Sequence, residues 1–393
     1  MKRTIKDLVG LKGKTVLLRT DFNVPIDANG RIMDATRIIN ALPTINYLVK
    51  QKAKVIIVSH LGRPKGYDVH QSLWPIAVFL KGRLSCNVGF CHSLLDEEAF
   101  KRVSLVKEGE VLLLENTRFY EGETACDKSF SKKLASMADL YVNDAFGTAH
   151  RKNASTFGVA RILPNAIGLL MEKEINALKP ILENPKRPFV AVIGGAKVSS
   201  KINVLKSVLE RADTLIIGGA MAYTFLKAKG QSVGESLVEN DKLEQAREIL
   251  DYAAYWGKKV LLPIDHVCVD NAVAGSSPVV VSEIRGTMMG FDIGKATRAL
   301  FAKEIARAQQ VFWNGPMGKF EDYRFNRGTL SVGQAIASSR AYTVVGGGDT
   351  VAAVNRFGLT DKINFVSTGG GATMEFIEQG TLPCIEVIQE KII

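Results

Sequence analysis

The feature that most constrains this chain is an alternation that runs through nearly all of its 393 residues. A short β-branched apolar run gives way to a polar or glycine-rich turn, then to a longer stretch with helical spacing. That rhythm is the pattern of βαβ units, which fold as parallel sheets with helices on both faces. The runs end in two ways. In the first half, 16–18 leads into Arg19, Asp21 and Asn23, and 55–58 leads into His60 and Arg63. Residues 111–114 lead into Glu115, Asn116 and Arg118, and 140–142 run through Asn143 and Asp144 to His150 and Arg151. In the second half, 190–193 leads into Gly194 and Gly195, 215–217 into Gly218 and Gly219, 344–345 into Gly346, Gly347 and Gly348, and Phe365 towards Gly369, Gly370 and Gly371. Ligands of open parallel sheets lie beyond the carboxyl ends of the strands, so those ends report ligand chemistry. Cations at one set suit a small anion; bare backbone at the other suits a polyphosphate.

The length favours two domains over one core. An amphipathic stretch around Leu169, Leu170, Ile175, Leu178, Ile181 and Leu182, followed by Pro185 and Pro188, predicts a connecting helix and then a break near 168–188. The fold class is therefore α/β, with two doubly wound, Rossmann-like parallel-sheet domains joined by a hinge helix. The expected divisions are 1–170 and 171–375, followed by a final apolar segment whose packing partner the residues do not reveal. A further helix is predicted at about 374–379. The formal charge of +11 is concentrated in the first half, where residues 1–170 hold 25 Lys and Arg against 16 Asp and Glu. These cations are scattered among apolar runs with no block of like charge, which argues against a nucleic-acid partner. No apolar stretch has signal-peptide or membrane-spanning length, so a cytoplasmic protein without a membrane partner is expected. The five cysteines show no CxxC spacing, which speaks against a disulfide framework or a zinc site.

Gly346-Gly347-Gly348-Asp349-Thr350 joins an apolar run to a helical one. Three glycines let backbone N–H groups approach an anion, the helix N-terminus adds its positive end, and Asp349 can hold magnesium. Without a ligand, the same residues form a tight turn in which Asp349 is a plain cap. The stretch 194–201 also joins a strand to a helix and is expected to place Lys197 and Lys201 on one helical face near its positive end. Two cations there repel each other unless an anion lies between them. Taken alone, they are also compatible with solvated surface lysines. The chain has neither G-x-x-x-x-G-K-[ST] nor G-x-G-x-x-G, so P-loop and dinucleotide fingerprints are absent. Asp21, Asn23, Arg37, His60, Arg63, Arg118 and Arg151 are expected at one sheet edge, at the ends of four successive strands. Arginine forks bind carboxylate and phosphate bidentately, and Asp21 and Asn23 accept from a hydroxyl, so the set suits a phosphorylated hydroxy acid.

RTDFNVP at 19–25, HLGRP at 60–64, GTAHR at 147–151, GGAKVSSK at 194–201, FWNGPMGKFE at 312–321, GGGDT at 346–350 and GGGAT at 369–373 closely resemble the phosphoglycerate kinase family, in family order and over nearly the whole chain. The resemblance implies a phosphotransferase acting on a carboxyl group in glycolysis. It implies 3-phosphoglycerate on Asp21, Asn23, Arg37, His60, Arg63, Arg118 and Arg151, and Mg-ADP or Mg-ATP on the second domain. The implied nucleotide positions are Gly194, Gly195 and Lys201 towards the phosphates, Gly218, Gly219 and Gly290 around the base, Asn314 and Pro316 nearby, and Glu321 on the ribose. Gly347, Gly348 and Thr350 lie by the phosphates, and Asp349 is the magnesium position. Arg37 and Lys197, with the backbone at Gly370 and Gly371, match the groups taken to stabilise the transferring phosphoryl. A monomer is implied, with its tail, about 376–393, packed on the first domain. Two departures stand out. Asp292-Ile293-Gly294-Lys295-Ala296-Thr297 stands where the family has Asp-Ile-Gly-Pro-Lys-Thr, which bears on loop geometry near the nucleotide. Thr373 replaces a serine.

Phosphoryl transfer asks for in-line placement and charge neutralisation more than proton removal, which suits a chain with no evident acid–base pair. Closure about a hinge at 168–188 is expected to assemble the cations and exclude water. An anion clamp without chemistry would need neither the paired glycine triplets nor Asp349, and a nicotinamide dehydrogenase lacks its fingerprint.

Overall fold

Apolar runs of four or five residues become strands buried on both faces, as parallel sheets require. The computed structural model describes residues 1–391. Residues 1–176 together with 381–391 form one compact unit, and Ala177–Gly380 forms a second.

The first unit holds strands β1 (Thr15–Arg19), β2 (Lys54–Val58), β3 (Val88–Cys91), β4 (Val111–Leu114), β5 (Leu140–Asn143) and β6 (Asn165–Ile167). Its helices are α1 (Thr36–Lys50), α2 (Trp74–Lys81), α3 (Glu97–Ser104), α4 (Glu121–Thr124) and α5 (Lys128–Ala135), with α6 (Leu169–Glu183) running on into the second unit. The sheet order is β3-β4-β2-β1-β5-β6, all parallel. The expected cationic ends belong to β1, β2, β4 and β5. They are not successive in sequence, because β3 intervenes and carries none of them. They are instead four neighbours in space, since β3 pairs only with β4 at the edge. Val16, Leu18, Val55, Ile57 and Val142 face a core completed by Ile38, Ile45 and Leu48 of α1. The tail belongs to this unit: Arg3 N–H donates to the Gln389 carbonyl at 2.8 Å, and Cys384 N–H donates to the Ala149 carbonyl at 3.0 Å.

The second unit holds β7 (Phe189–Ile193), β8 (Thr214–Ile217), β9 (Lys259–Leu261), β10 (His266–Asp270), β11 (Val279–Val281), β12 (Met288–Ile293), β13 (Gln310–Asn314), β14 (Tyr342–Val345) and β15 (Phe365–Val366). Its helices are α7 (Ile202–Arg211), α8 (Met221–Ala228), α9 (Leu243–Tyr255), α10 (Lys295–Ile305), α11 (Arg327–Ala337), α12 (Gly348–Arg356) and α13 (Gly371–Gln379). The parallel sheet runs β15-β14-β13-β7-β8-β9. A second sheet, β11-β10-β12, is antiparallel and breaks the expected βαβ rhythm between residues 266 and 293. Its strands bury one face only, against Tyr223, Leu226 and Val233, and a one-sided sheet pairs antiparallel. In each parallel sheet one strand has neighbours reached by chain running both ways: β1 between β2 and β5, and β7 between β8 and β13. Those switch points are where open α/β sheets bind ligands.

Candidate active site

In the first unit, the turn after β1 carries Asp21 and Asn23 to the switch point. Asp21 Oδ2 pairs with Arg37 in the first turn of α1 at 2.8 Å. Asn23 Oδ1 accepts from Gly62 N–H at 2.9 Å, which ties that turn to the His60–Arg63 loop after β2. Arg118, beyond β4, donates to the Gly62 carbonyl at 2.5 Å. Asn116 sets its place by accepting from the N–H groups of Leu61 and Arg118 and donating to the carbonyls of Leu61 and Gln71. A cavity of about 650 Å³ opens here, lined among others by Arg63, Lys65, Arg118, Tyr120 and Arg151. Burial, with Arg151 and Arg19 near by, pulls the Arg118 guanidinium down to about 10. Cations crowded at this density call for an anion among them. His60 is 2% exposed, and desolvation followed by the surrounding arginines holds its imidazole well below its usual range. His150 is also lowered by burial, and its Nε2 accepts from Arg151 Nε at 3.1 Å.

In the second unit, three strand ends interlock backbone to backbone. Gly194 N–H donates to the Asn314 carbonyl at 2.8 Å, Gly195 N–H to the Pro316 carbonyl at 3.0 Å, and Gly219 N–H to the Met317 carbonyl at 3.1 Å. A side chain has no room at Gly194, Gly218 or Gly219. A Cβ on Gly194 would fall 2.2 Å from the Pro316 oxygen, one on Gly218 2.3 Å from Met317 Sδ, and one on Gly219 2.5 Å from Gly195. Gly290 in β12 is equally tight, with Tyr223 Oη 2.2 Å from a Cβ there. These glycines shape the floor. Open backbone lies elsewhere: a Cβ on Gly348, Gly370 or Gly371 meets nothing within 4 Å. Gly347 (φ +92°) and Gly370 (φ +54°) turn the chain into α12 and α13, so two helix N-termini begin at neighbouring strands β14 and β15.

Lys197 and Lys201 do not share a helical face as expected. The stretch 194–201 is a loop, α7 begins at Ile202, and Lys201 is its cap residue. Lys197 is exposed, whereas Lys201 points inward. Its Nζ donates to the Gly194 carbonyl and to Asn314 Oδ1, both at 2.6 Å. Burial brings its pKa down to about 8, against the opposing pull of Asp349. Asn314 Nδ2 donates to the Gly346 carbonyl at 2.7 Å, and Thr350 Oγ1 accepts from Gly315 N–H at 2.6 Å, so β7, β13 and α12 are locked together. Asp349 is exposed in the first turn of α12 and Glu321 is exposed beyond β13. Among the described residues no three His, Cys, Asp or Glu gather as a metal site. A lone exposed carboxylate at a helix N-terminus fits a magnesium ion that arrives on polyphosphate oxygens and keeps several waters.

The departure at 292–297 is resolved by Asp265, whose carboxylate accepts from the N–H groups of Ala296 (2.9 Å) and Thr297 (2.7 Å) and from Thr297 Oγ1 (2.6 Å). Lys295 takes the first position of α10, where a proline is also at home, and both Lys295 and Ala296 are exposed. Thr373 keeps its hydroxyl 2.6 Å from Ser367 Oγ. Sequence reasoning left out Glu123, Ser155 and the full burial of Arg19. An acidic residue such as Glu123 carries no sequence mark of burial.

The model of the family described as Phosphoglycerate kinase matches residues 5–380. The chain belongs to the phosphoglycerate kinase family. It is 50% identical to the phosphoglycerate kinase of Clostridium novyi over 396 residues, 99% of each chain, and 50% identical to that of Dictyoglomus turgidum over 99% of this chain and 100% of the relative. The phosphoglycerate kinase structure from Coxiella burnetii superposes with a TM-score of 0.90 at 42% identity, covering 98% of both chains. That from Pyrococcus horikoshii gives 0.84 at 35%, again covering 98% of both. The family's parallel-sheet α/β fold is thus the fold of this chain.

Proposed function

We propose that the arginine cluster of the first unit binds 3-phosphoglycerate and that the open glycine backbone of the second binds ADP or ATP. As a phosphoglycerate kinase, the chain moves the acyl phosphate of 1,3-bisphosphoglycerate to ADP and back. The observation that carries the assignment of halves is the contrast between them: arginine charge around a 650 Å³ cavity in one, and open space at the glycines that begin two helices in the other. Arg63, Arg118 and Arg151 would hold the phosphate and Asp21 and Asn23 the hydroxyl, while Arg37 turns from Asp21 to the transferring group. Gly348, Gly370 and Gly371 would receive phosphate oxygens, Lys201 would neutralise them, and Glu321 would bond the ribose. Gly194, Gly195, Gly218, Gly219 and Gly290, with Asn314 and Pro316, form the base and phosphate floor. Magnesium, held through Asp349 and the nucleotide, would supply charge neutralisation at the phosphates.

The attacking group is already an oxyanion, so no side chain need remove a proton, which agrees with a His60 that resists protonation. Arg37 and Lys197 supply positive charge to equatorial oxygens that become more negative at the transition state. In-line transfer needs both sets of groups about one phosphoryl, so we place a closing motion at residues 168–188, within and beyond α6. Equal X-ray scattering radii with and without both substrates would remove that step. We assign the chain to the cytoplasm as a monomer with no nucleic-acid partner. No helix among the described residues is long and apolar enough to cross a membrane. The direct test couples Mg-ATP and 3-phosphoglycerate to glyceraldehyde-3-phosphate dehydrogenase. NADH loss should need both substrates; equal loss without 3-phosphoglycerate would refute the assignment.

A further inference from the structure

Beneath the arginine cluster lies a buried polar relay that the reaction does not use directly. Arg19, the last residue of β1, is 1% exposed. Its Nε donates to Ser155 Oγ at 2.8 Å, one terminal nitrogen donates to the Thr20 carbonyl, and the other lies 3.1 Å from His60 Nδ1. Ser155 passes the link on: its hydroxyl donates to Glu123 Oε1 at 2.6 Å and its N–H to Oε2 at 2.9 Å. Glu123 is fully buried, and its carboxylate lies one hydroxyl away from the Arg19 guanidinium. A guanidinium has only donors to offer. The 3.1 Å contact can therefore be a hydrogen bond only if His60 Nδ1 is an acceptor, which leaves the imidazole proton on Nε2. A doubly protonated ring, or one with its proton on Nδ1, would set two N–H groups against each other in a buried site.

We infer that Arg19, anchored through Ser155 to Glu123, is a positioning residue that fixes His60 as the neutral Nε2–H tautomer, so that His60 meets the acid substrate as a hydrogen-bond donor and never as a base or a cation. The inference rests on the assignment of 3-phosphoglycerate to this cluster. The other charged groups around the ring are Asp21, whose Oδ1 lies 3.9 Å from Nδ1, and Arg37, Arg118 and Arg151, all of which repel a proton. Asp21 alone favours the cation, and its other oxygen is engaged by Arg37. Among the described residues, Nε2 has no hydrogen-bond partner, so its proton is free for a ligand oxygen. Fixing the tautomer in advance spares the substrate the cost of choosing it.

The test is a long-range proton–nitrogen NMR correlation on the full chain with labelled histidine, in which His60 is assigned through His60→Gln among five histidines. The ligand-free protein should show a pyridine-type Nδ1 and a pyrrole-type Nε2 on His60, unchanged from about pH 8 to about pH 5.5. A protonated ring in that window, or the opposite tautomer, overturns the inference without any variant at Arg19. The charge-balanced pair Arg19→Met with Glu123→Gln should release the lock. His60 should then populate both neutral tautomers, and KM for 3-phosphoglycerate should rise about tenfold while KM for ATP holds. A folded pair whose His60 keeps the same tautomer and whose KM is unchanged also overturns it. If the wild-type tautomer is as stated but 3-phosphoglycerate leaves the His60 signals unmoved, the failure lies with the substrate assignment.

Discussion

Lys201 should make nucleotide binding take up a proton at alkaline pH. Its pKa is held at about 8 by burial, while the acceptors around its ammonium are the Gly194 carbonyl and the Asn314 oxygens. The folded-state value lies below the unfolded one, so below pH 8 the buried ammonium is charged at a cost to stability, and that cost is relieved as pH rises from about 8 towards 10.5. A polyphosphate beside the ammonium favours the charged form. If it restores the ordinary value of 10.5, linkage gives about 0.9 proton taken up per ADP bound at pH 9, and an affinity about 30-fold weaker at pH 9.5 than at pH 7. That loss corresponds to about 2 kcal/mol. Titration calorimetry of ADP binding in two buffers of different ionisation enthalpy reads the proton count directly. The Lys201→Met variant should abolish the uptake and flatten the pH dependence. Zero uptake at pH 9 in the wild type, with affinity constant to pH 9.5, would refute both the depressed value and the placement of phosphate at Lys201.

Three further outcomes follow from the geometry. Lys197 is exposed and, among the described residues, its side chain has no hydrogen-bond partner, so Lys197→Ala should shift unfolding by no more than about 0.5 kcal/mol while kcat falls about a hundredfold or more; thermal melts and the coupled assay check the two halves. Lys295→Pro places proline at the first position of α10 after an extended Gly294 (φ −77°, ψ −177°), and should stabilise by about 0.4–1 kcal/mol in urea unfolding, with activity unchanged. Gly168→Ala would put a Cβ 2.2 Å from Asp144 Oδ1, a fully buried carboxylate that accepts from Leu170 and Met171 N–H at the start of α6; a loss of about 2–4 kcal/mol is expected, and urea unfolding indistinguishable from wild type would contradict the packing there.

The parallel sheets were legible because strands buried on both faces read as unbroken apolar runs, and their ends announce themselves in Arg19 to Asn23 or in Gly346 to Gly348. The antiparallel sheet was not, since Cys268, Val280 and Gly290 belong to short strands with no helices between them to mark a rhythm. The spatial order of β4, β2, β1 and β5 also lies beyond sequence, because an edge strand such as β3 looks like any other run until its pairing is known. Spacing misplaced Lys197 and Lys201: four residues apart suggests one helical face, but Gly195 at φ +117° and the inward bonds of Lys201 hold that stretch as a loop. The glycines were recognised as special, yet only the packing separates Gly218 and Gly219, which admit the Met317 side chain and the Gly195 backbone, from Gly370 and Gly371, which face open space. In the sequence Arg19 reads as one more of the strand-end cations. Its burial depends on Ser155 and Glu123, which lie more than a hundred residues away in sequence.

The tail that completes the first unit has a consequence for synthesis. Residues 381–391 supply the Gln389 carbonyl to Arg3 and the Cys384 thiol to the Arg151 carbonyl, yet they follow the whole of Ala177–Gly380 in the chain. The whole of the second unit must therefore be synthesised before the first can receive its last piece. For the time needed to make some two hundred residues, at about 5–20 residues per second, the Ala149 carbonyl lacks its partner Cys384. The nascent first unit is thus a waiting intermediate, and the loop that carries Arg151 is among the last parts of the protein to be set.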